Sequence, residues 1–169
     1  MEKFLLNGTW KMSIAGGEFM EGTIPGSVYS FLLENEKMED PYYGDNELEA
    51  LKIMDNDFLF EKTFSVPEHV KACDEILLRC NGLDTLCQIY LNGRFVGDAF
   101  NFHRVWEYDV KDLLEEENVL QIKIASPVKY IKEMDAKKHF GGSPESMQGF
   151  PYLRKPHCMF GWDWGISHS

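Results

Sequence analysis

The sequence is poor in positive charge, has no closely paired cysteines and has no long apolar run, and each shortage closes a class of function. Seventeen Lys and Arg stand against 28 Asp and Glu, for a net charge of −11. A field of that sign repels phosphate backbones and anionic lipid headgroups, so neither nucleic acid nor a membrane surface is expected as a partner. No apolar stretch approaches the ~20 residues that a membrane-crossing helix needs. The first eight residues lack a basic stretch followed by a long apolar one, so no export leader is read there and a cytoplasmic location is expected. Without a leader, the formal glycosylation acceptor Asn7-Gly8-Thr9 carries no weight. The four cysteines, Cys73, Cys80, Cys87 and Cys158, include no C-x₂-C pair. That spacing argues against a zinc tetrahedron or a redox dithiol, and His157-Cys158 sets two donors too close in sequence to share one metal. No metal and no cofactor are expected, and buried free thiols in a reducing compartment are the reading for the cysteines. Internal repeats and low-complexity tracts are also missing.

What the chain has in quantity is aromatic and apolar side chain. Hydrophobic residues make up 44% and aromatic residues 14% of 169 positions, a packed globular composition. That length suits one domain of the usual roughly 100–200 residues. It is enough to bury about two-thirds of the unfolded chain's surface.

Strand signals recur about every ten residues. Residues 58–66 form a run that Pro67 stops, and residues 75–80 form another that ends at Asn81-Gly82. Residues 85–91 alternate, with Cys87, Ile89 and Leu91 on one face, and run into Asn92-Gly93. Both turn residues tolerate positive φ, as a type I′ hairpin requires, and residues 94–96 return. Residues 118–124 place Leu120, Ile122 and Ile124 on one side and Val119, Gln121 and Lys123 on the other. Short strands with turn residues between them predict an antiparallel β-sandwich with Ile89, Leu120, Ile122, Ile124 and Cys87 buried. Helices are minor: one over 27–35 capped by Ser27, a single turn at 111–117, and an amphipathic stretch over 128–137. Residues 1–127 are read as the sandwich core and 128–169 as an extension of the same domain.

That extension turns irregular after Lys138 and ends in Phe160-Gly161-Trp162-Asp163-Trp164-Gly165. Indole faces stack on the apolar faces of sugar rings, and a carboxylate accepts charge-assisted hydrogen bonds from hydroxyls. The flanking glycines permit turns that project Asp163 forward. The bland alternative buries both tryptophans and makes Asp163 a turn cap, and the residues alone leave the two evenly matched. Asn35-Glu36 and Asn46-Glu47 read as solvated loop pairs. His103-Arg104 and Arg154-Lys155 could reach a ligand, but fit better as partners for the surplus of carboxylates.

Five segments, in order, carry a resemblance that spans nearly the whole chain. They are residues 6–11, residues 23–28 around Pro25-Gly26-Ser27-Val28, residues 40–47 beginning Asp40-Pro41-Tyr42-Tyr43, residues 82–93 with Gly82-Leu83-Asp84-Thr85 and Asn92-Gly93, and Arg154-Lys155-Pro156 followed by residues 160–165. Together they resemble the amino-terminal sugar-binding domain of family 2 glycoside hydrolases, in the β-mannosidase branch. The chain departs from that pattern at Phe58-Leu59-Phe60, at Cys158-Met159 and at Ile166.

The resemblance implies an all-β, antiparallel jelly-roll sandwich of galactose-binding-domain type, followed in the parent chain by an immunoglobulin-like domain and a TIM barrel. It implies retaining hydrolysis by two barrel glutamates. A barrel needs about 250 residues, so no catalytic residue is expected among these 169. Asp163 would bind hydroxyls of a terminal mannose, with Trp162 and Trp164 flanking it, and the substrates would be β-mannosides or manno-oligosaccharides. A stand-alone carbohydrate-binding module, the same domain of a β-galactosidase or β-glucuronidase, and a purely structural sandwich are the competing expectations.

Overall fold

The computed structural model describes residues 2–140 and 150–160, apart from the side chains of Phe150 and His157. Eight strands are found among these residues: β1 (Gly8–Ile14), β2 (Met20–Ile24), β3 (Phe58–Phe64), β4 (Leu77–Asn81), β5 (Cys87–Leu91), β6 (Arg94–Ala99), β7 (Val105–Asp109) and β8 (Asn118–Ile124). Six form one sheet in the order β2-β1-β3-β8-β5-β6, and β4 pairs with β7 in a second. Every pairing is antiparallel. The sandwich expected from the alternating runs is present, although lopsided, and β1, β2 and β7 join the strands legible in the sequence.

Register explains the core. Met20, Met12, Phe60, Ile122, Ile89 and Gly97 oppose one another pair by pair across all six strands. Met12, Phe60, Ile122 and Ile89 in that row are buried. Burying each such side chain is worth about 1.5–3 kcal/mol before chain entropy is set against it. The row ends in glycine for a steric reason. A Cβ at Gly97 would lie 2.3 Å from the ring of Tyr108 on β7, so the missing side chain is what lets the second sheet close over the first.

The predicted face of β8 holds, with one correction of depth: Leu120 and Ile122 are buried but Ile124 is only half-buried. Ile124 is the last residue of its strand, and alternation reports a face without reporting how far the cover extends. The Asn92-Gly93 turn has φ of 53° and 74°, as the hairpin reading requires. Asn92 does more than turn the chain. Its side-chain amide donates to Leu113 O at 2.8 Å and to Asn118 Oδ1 at 3.0 Å, and its oxygen accepts from Val119 N at 2.8 Å.

The helices are short. In α1 (Val28–Glu34), Ser27 and Ser30 form a reciprocal capping box, and Phe31 and Leu32 are buried. Phe31 meets Phe60 edge-on at 5.3 Å between ring centroids. The pair Asn46-Glu47 is not a loop but opens α2 (Asn46–Ile53), where Glu47 and Glu49 sit favourably in the first turn. A four-residue helix, α3 (Glu68–Lys71), precedes β4. The stretch expected to be amphipathic is α4 (Pro127–Lys137), with Ser126 accepting from Lys129 N at 3.4 Å and donating to Met54 O at 2.9 Å. No described helix is long and apolar enough to cross a membrane.

The cysteines are unpaired, and their burial differs from expectation. Cys80 and Cys87 are buried, Cys73 is intermediate and Cys158 is exposed. Burial pushes the Cys80 thiol up to about 11. It pushes Cys87 up to about 12, with the charges of Asp84 and Cys80 adding to the effect.

Candidate functional site

The irregular extension returns to the sandwich as an arm, residues 150–160, seated on two loops. Asn101, just after β6, forms a parallel bridge with Arg154. The Phe102 amide donates to Arg154 O at 2.8 Å. The receiving loop is itself braced: Trp106 Nε1 donates to Asn101 O at 3.1 Å, and the His103 amide donates to Asn101 Oδ1 at 3.0 Å. The Arg104 guanidinium lies 4.6 Å from the centre of the Trp106 ring, so this cation is held on an aromatic face and pairs with no carboxylate among the described residues.

The second loop lies between β4 and β5 and carries Asp84. Lys155 Nζ stands 3.2 Å from Asp84 Oδ2, with side-chain exposures of 6% and 25%. Thr85 Oγ1 donates to the other Asp84 oxygen. The same ammonium lies 5.6 Å from the centre of the Phe160 ring. Leu153 and Phe160 are buried on either side of it in the chain. Lys155 thus meets the carboxylate surplus as the sequence suggested, whereas the Arg154 side chain is exposed.

A third attachment clips the arm's start to the end of α4. Tyr152 donates its hydroxyl to the Asp135 carboxylate and accepts from the Phe140 amide at 3.1 Å. His139 Nδ1 lies 2.8 Å from the same carboxylate. Hydrogen bonds from Tyr152, then from His139, hold Asp135 below its ordinary value. Partial burial, then the bond to Asp135, pushes the Tyr152 phenol up. Of this cluster, only the i, i+4 spacing of Asp135 and His139 could have been read from sequence.

Asp163, Trp162 and Trp164 lie outside the described residues, two to four positions past the seated Phe160. Sequence reasoning quoted Asp84 and Lys155 within separate motifs and did not join them, since nothing local links residues 71 positions apart. Residues 40–45, leading into α2, form a surface turn where the Tyr42 amide donates to Asp40 Oδ1 at 2.9 Å, and both tyrosines stand well exposed. Among the described residues, no group of three or more His, Cys, Asp or Glu could hold a metal ion.

Comparison with known proteins gives this arrangement a context. A family model described as glycosyl hydrolase 2 galactose-binding domain-like matches residues 10–169. Beta-mannosidase of Mus musculus is 28% identical over 174 residues, covering 97% of this chain and 20% of the mouse protein. The crystal structure of beta-D-mannosidase from Dictyoglomus thermophilum superposes with a TM-score of 0.92 and 34% identity, over 99% of this chain and 21% of that one. A Bifidobacterium dentium beta-glucuronidase shares the fold alone, at a TM-score of 0.55 and 21% identity over 71% of this chain and 19% of the other. The chain spans about a fifth of the length of the curated relatives it matches.

Proposed function

Because the chain belongs to the glycosyl hydrolase 2 galactose-binding domain-like family, we propose that it is the non-catalytic sugar-facing domain of a retaining β-mannosidase. The observation that carries this reading is the match to the Dictyoglomus beta-D-mannosidase, which takes in 99% of this chain and 21% of that one. A domain of this kind contributes to a sugar site without holding both catalytic groups. Retaining hydrolysis needs two carboxyl groups roughly 5–5.5 Å apart about the anomeric carbon. In the parent protein those come from a downstream barrel, reached through an immunoglobulin-like domain.

The part of the site assigned to this chain is the segment past the docked arm. Asp163 accepts hydroxyl hydrogen bonds from a terminal mannose, and Trp162 and Trp164 flank it. Residues 128–169 act as an extension of the 1–127 sandwich. The substrates are β-mannosides or manno-oligosaccharides, and the compartment is cytoplasmic. The seating of residues 153–160 on the sandwich supports this reading, since a half-subsite is useful only when its stem is held still.

The test uses the protein carrying its catalytic domain. Asp163→Ala is expected to lower kcat/KM for aryl β-mannosides by on the order of 10²-fold. Lost charged hydrogen bonds are worth about 1.5–3 kcal/mol, and misplacement at the reacting carbon adds to that. Asp163→Asn should be milder. A destabilised Asp163→Ala protein with unchanged kinetics would make Asp163 a turn cap, with a loss of about 1 kcal/mol in stability. The isolated 169-residue chain should not turn over these substrates.

A further inference from the structure

Among the described residues, Lys155 is the one buried charged side chain. An apolar pair would hold an arm to a sandwich at least as well, because ions lose their hydration on burial and their attraction must first repay it. What the ion pair adds is register. Leu153 and Lys155 are buried while Arg154 between them is exposed, with its carbonyl bound by the Phe102 amide. In an extended segment a one-residue slip exchanges inward for outward side chains. Here it would remove Lys155 from Asp84, 3.2 Å away and the one carboxylate it meets among the described residues.

We infer that Lys155 and Asp84 are positioning residues: their ion pair sets the register in which the arm docks, and with it the point from which residues 161–164 set out. The inference rests on the reading of Asp163 as the sugar-binding group. Neither Lys155 nor Asp84 is assigned contact with sugar; both act through the segment that carries Asp163.

The test separates holding from positioning. In the protein carrying its catalytic domain, Lys155→Met and Asp84→Asn each leave one buried group unpaired, so both stability and kcat/KM should fall. The apolar pair Asp84→Leu/Lys155→Met should recover most of the melting temperature lost in either single variant, the Thr85 hydroxyl alone losing its acceptor. It should still leave kcat/KM for aryl β-mannosides about tenfold or more below wild type, because small misplacements are costly at the reacting centre. Recovery of both quantities in the apolar pair would overturn the inference, since the ion pair would then only hold the fold. If the apolar pair does not fold, Asp84→Asn decides: kcat/KM within about twofold of wild type overturns the inference, and a tenfold loss with intact β5 and β8 supports it.

Asp163→Ala run beside these variants tells the two readings apart. Should that control leave turnover unchanged, the proposed function fails. The positioning claim is then judged by amide hydrogen exchange in the 169-residue chain. Faster exchange confined to residues 153–160 in Lys155→Met supports it, and exchange unchanged from wild type overturns it.

Discussion

The six-stranded sheet and the arm at residues 150–160 are held by different physics. In the sheet, each buried side chain is one of a row that crosses neighbouring strands, and each strand interior to the sheet is laddered on both sides. The arm has two buried apolar anchors, one ion pair, one bridge and one tyrosine hydroxyl. Redundancy makes the sheet tolerant of local error and cooperative in failure. The arm has few attachments, each doing a separate job, so damage to one should stay local. The segment proposed to meet sugar is carried by the less redundant of the two.

The contrast can be broken most forcefully from the sheet side. Ile89 is fully buried between Ile122 and Gly97 in its row, so Ile89→Ala should cost about 2–5 kcal/mol and lower the melting temperature of the whole domain, arm included. A thermal melt followed in the near-ultraviolet checks it; a normal melting temperature would mean that the row is not the core. Next in size is Gly97→Ala, whose new methyl would meet the Tyr108 ring. Overpacking of that kind costs about 1–3 kcal/mol, and a urea titration should show the loss as a lower midpoint.

Thiol chemistry sharpens the contrast without mutation. At mildly alkaline pH a disulfide reagent should label Cys158 on the arm first and Cys73 more slowly, with Cys80 and Cys87 protected until the sheet unfolds. The two buried thiols also predict sensitivity to alkali. Their folded values, about 11 and about 12, lie above the ordinary 9.0. The stability this represents is therefore complete below pH 9.0 and is lost as pH rises through the folded values.

The smallest effect should come from the arm. Tyr152→Phe removes the hydroxyl that joins Asp135 to the Phe140 amide, and should leave the melting temperature almost unchanged while speeding exchange near residues 138–140 and 150–153. Acid should mimic it. Asp135 is held below its ordinary 3.8, so its contribution is present above 3.8 and disappears as pH falls through the lower folded value. Exchange rising equally in β5 and β8 would show that arm and sheet open together.

Legibility in the sequence follows the same division. Strands β3, β5 and β8, the Asn92-Gly93 turn and the Ser27 cap announce themselves because alternation, turn chemistry and capping are local signals. β1 and β2 were visible only as motifs: their exposed positions mix Thr, Lys and Glu with buried Trp10 and Met12, which blurs the period. The Ile124 side chain shows the limit of alternation, which gives a face and not a depth. Asp84 and Lys155 were each singled out within a motif, but a contact across 71 residues is made by the fold as a whole. The resemblance drew attention to Asp163 more strongly than any property of the residues around it.

The position of β8 bears on how such a domain is born. It is the last strand to be synthesised among the eight described, yet it lies between β3 and β5 and pairs with both. Until residues 118–124 leave the ribosome, β2-β1-β3 and the β5–β6 hairpin are separate half-sheets, each with an open edge and an uncovered apolar face. Such edges recruit strands from other chains. The Asn92 side chain, already waiting at the hairpin tip, offers its amide group to Val119 and Asn118 as they arrive. A nascent chain stalled or truncated before Ile124 should therefore be a client for chaperones, whereas one released a few residues later can close its own sheet.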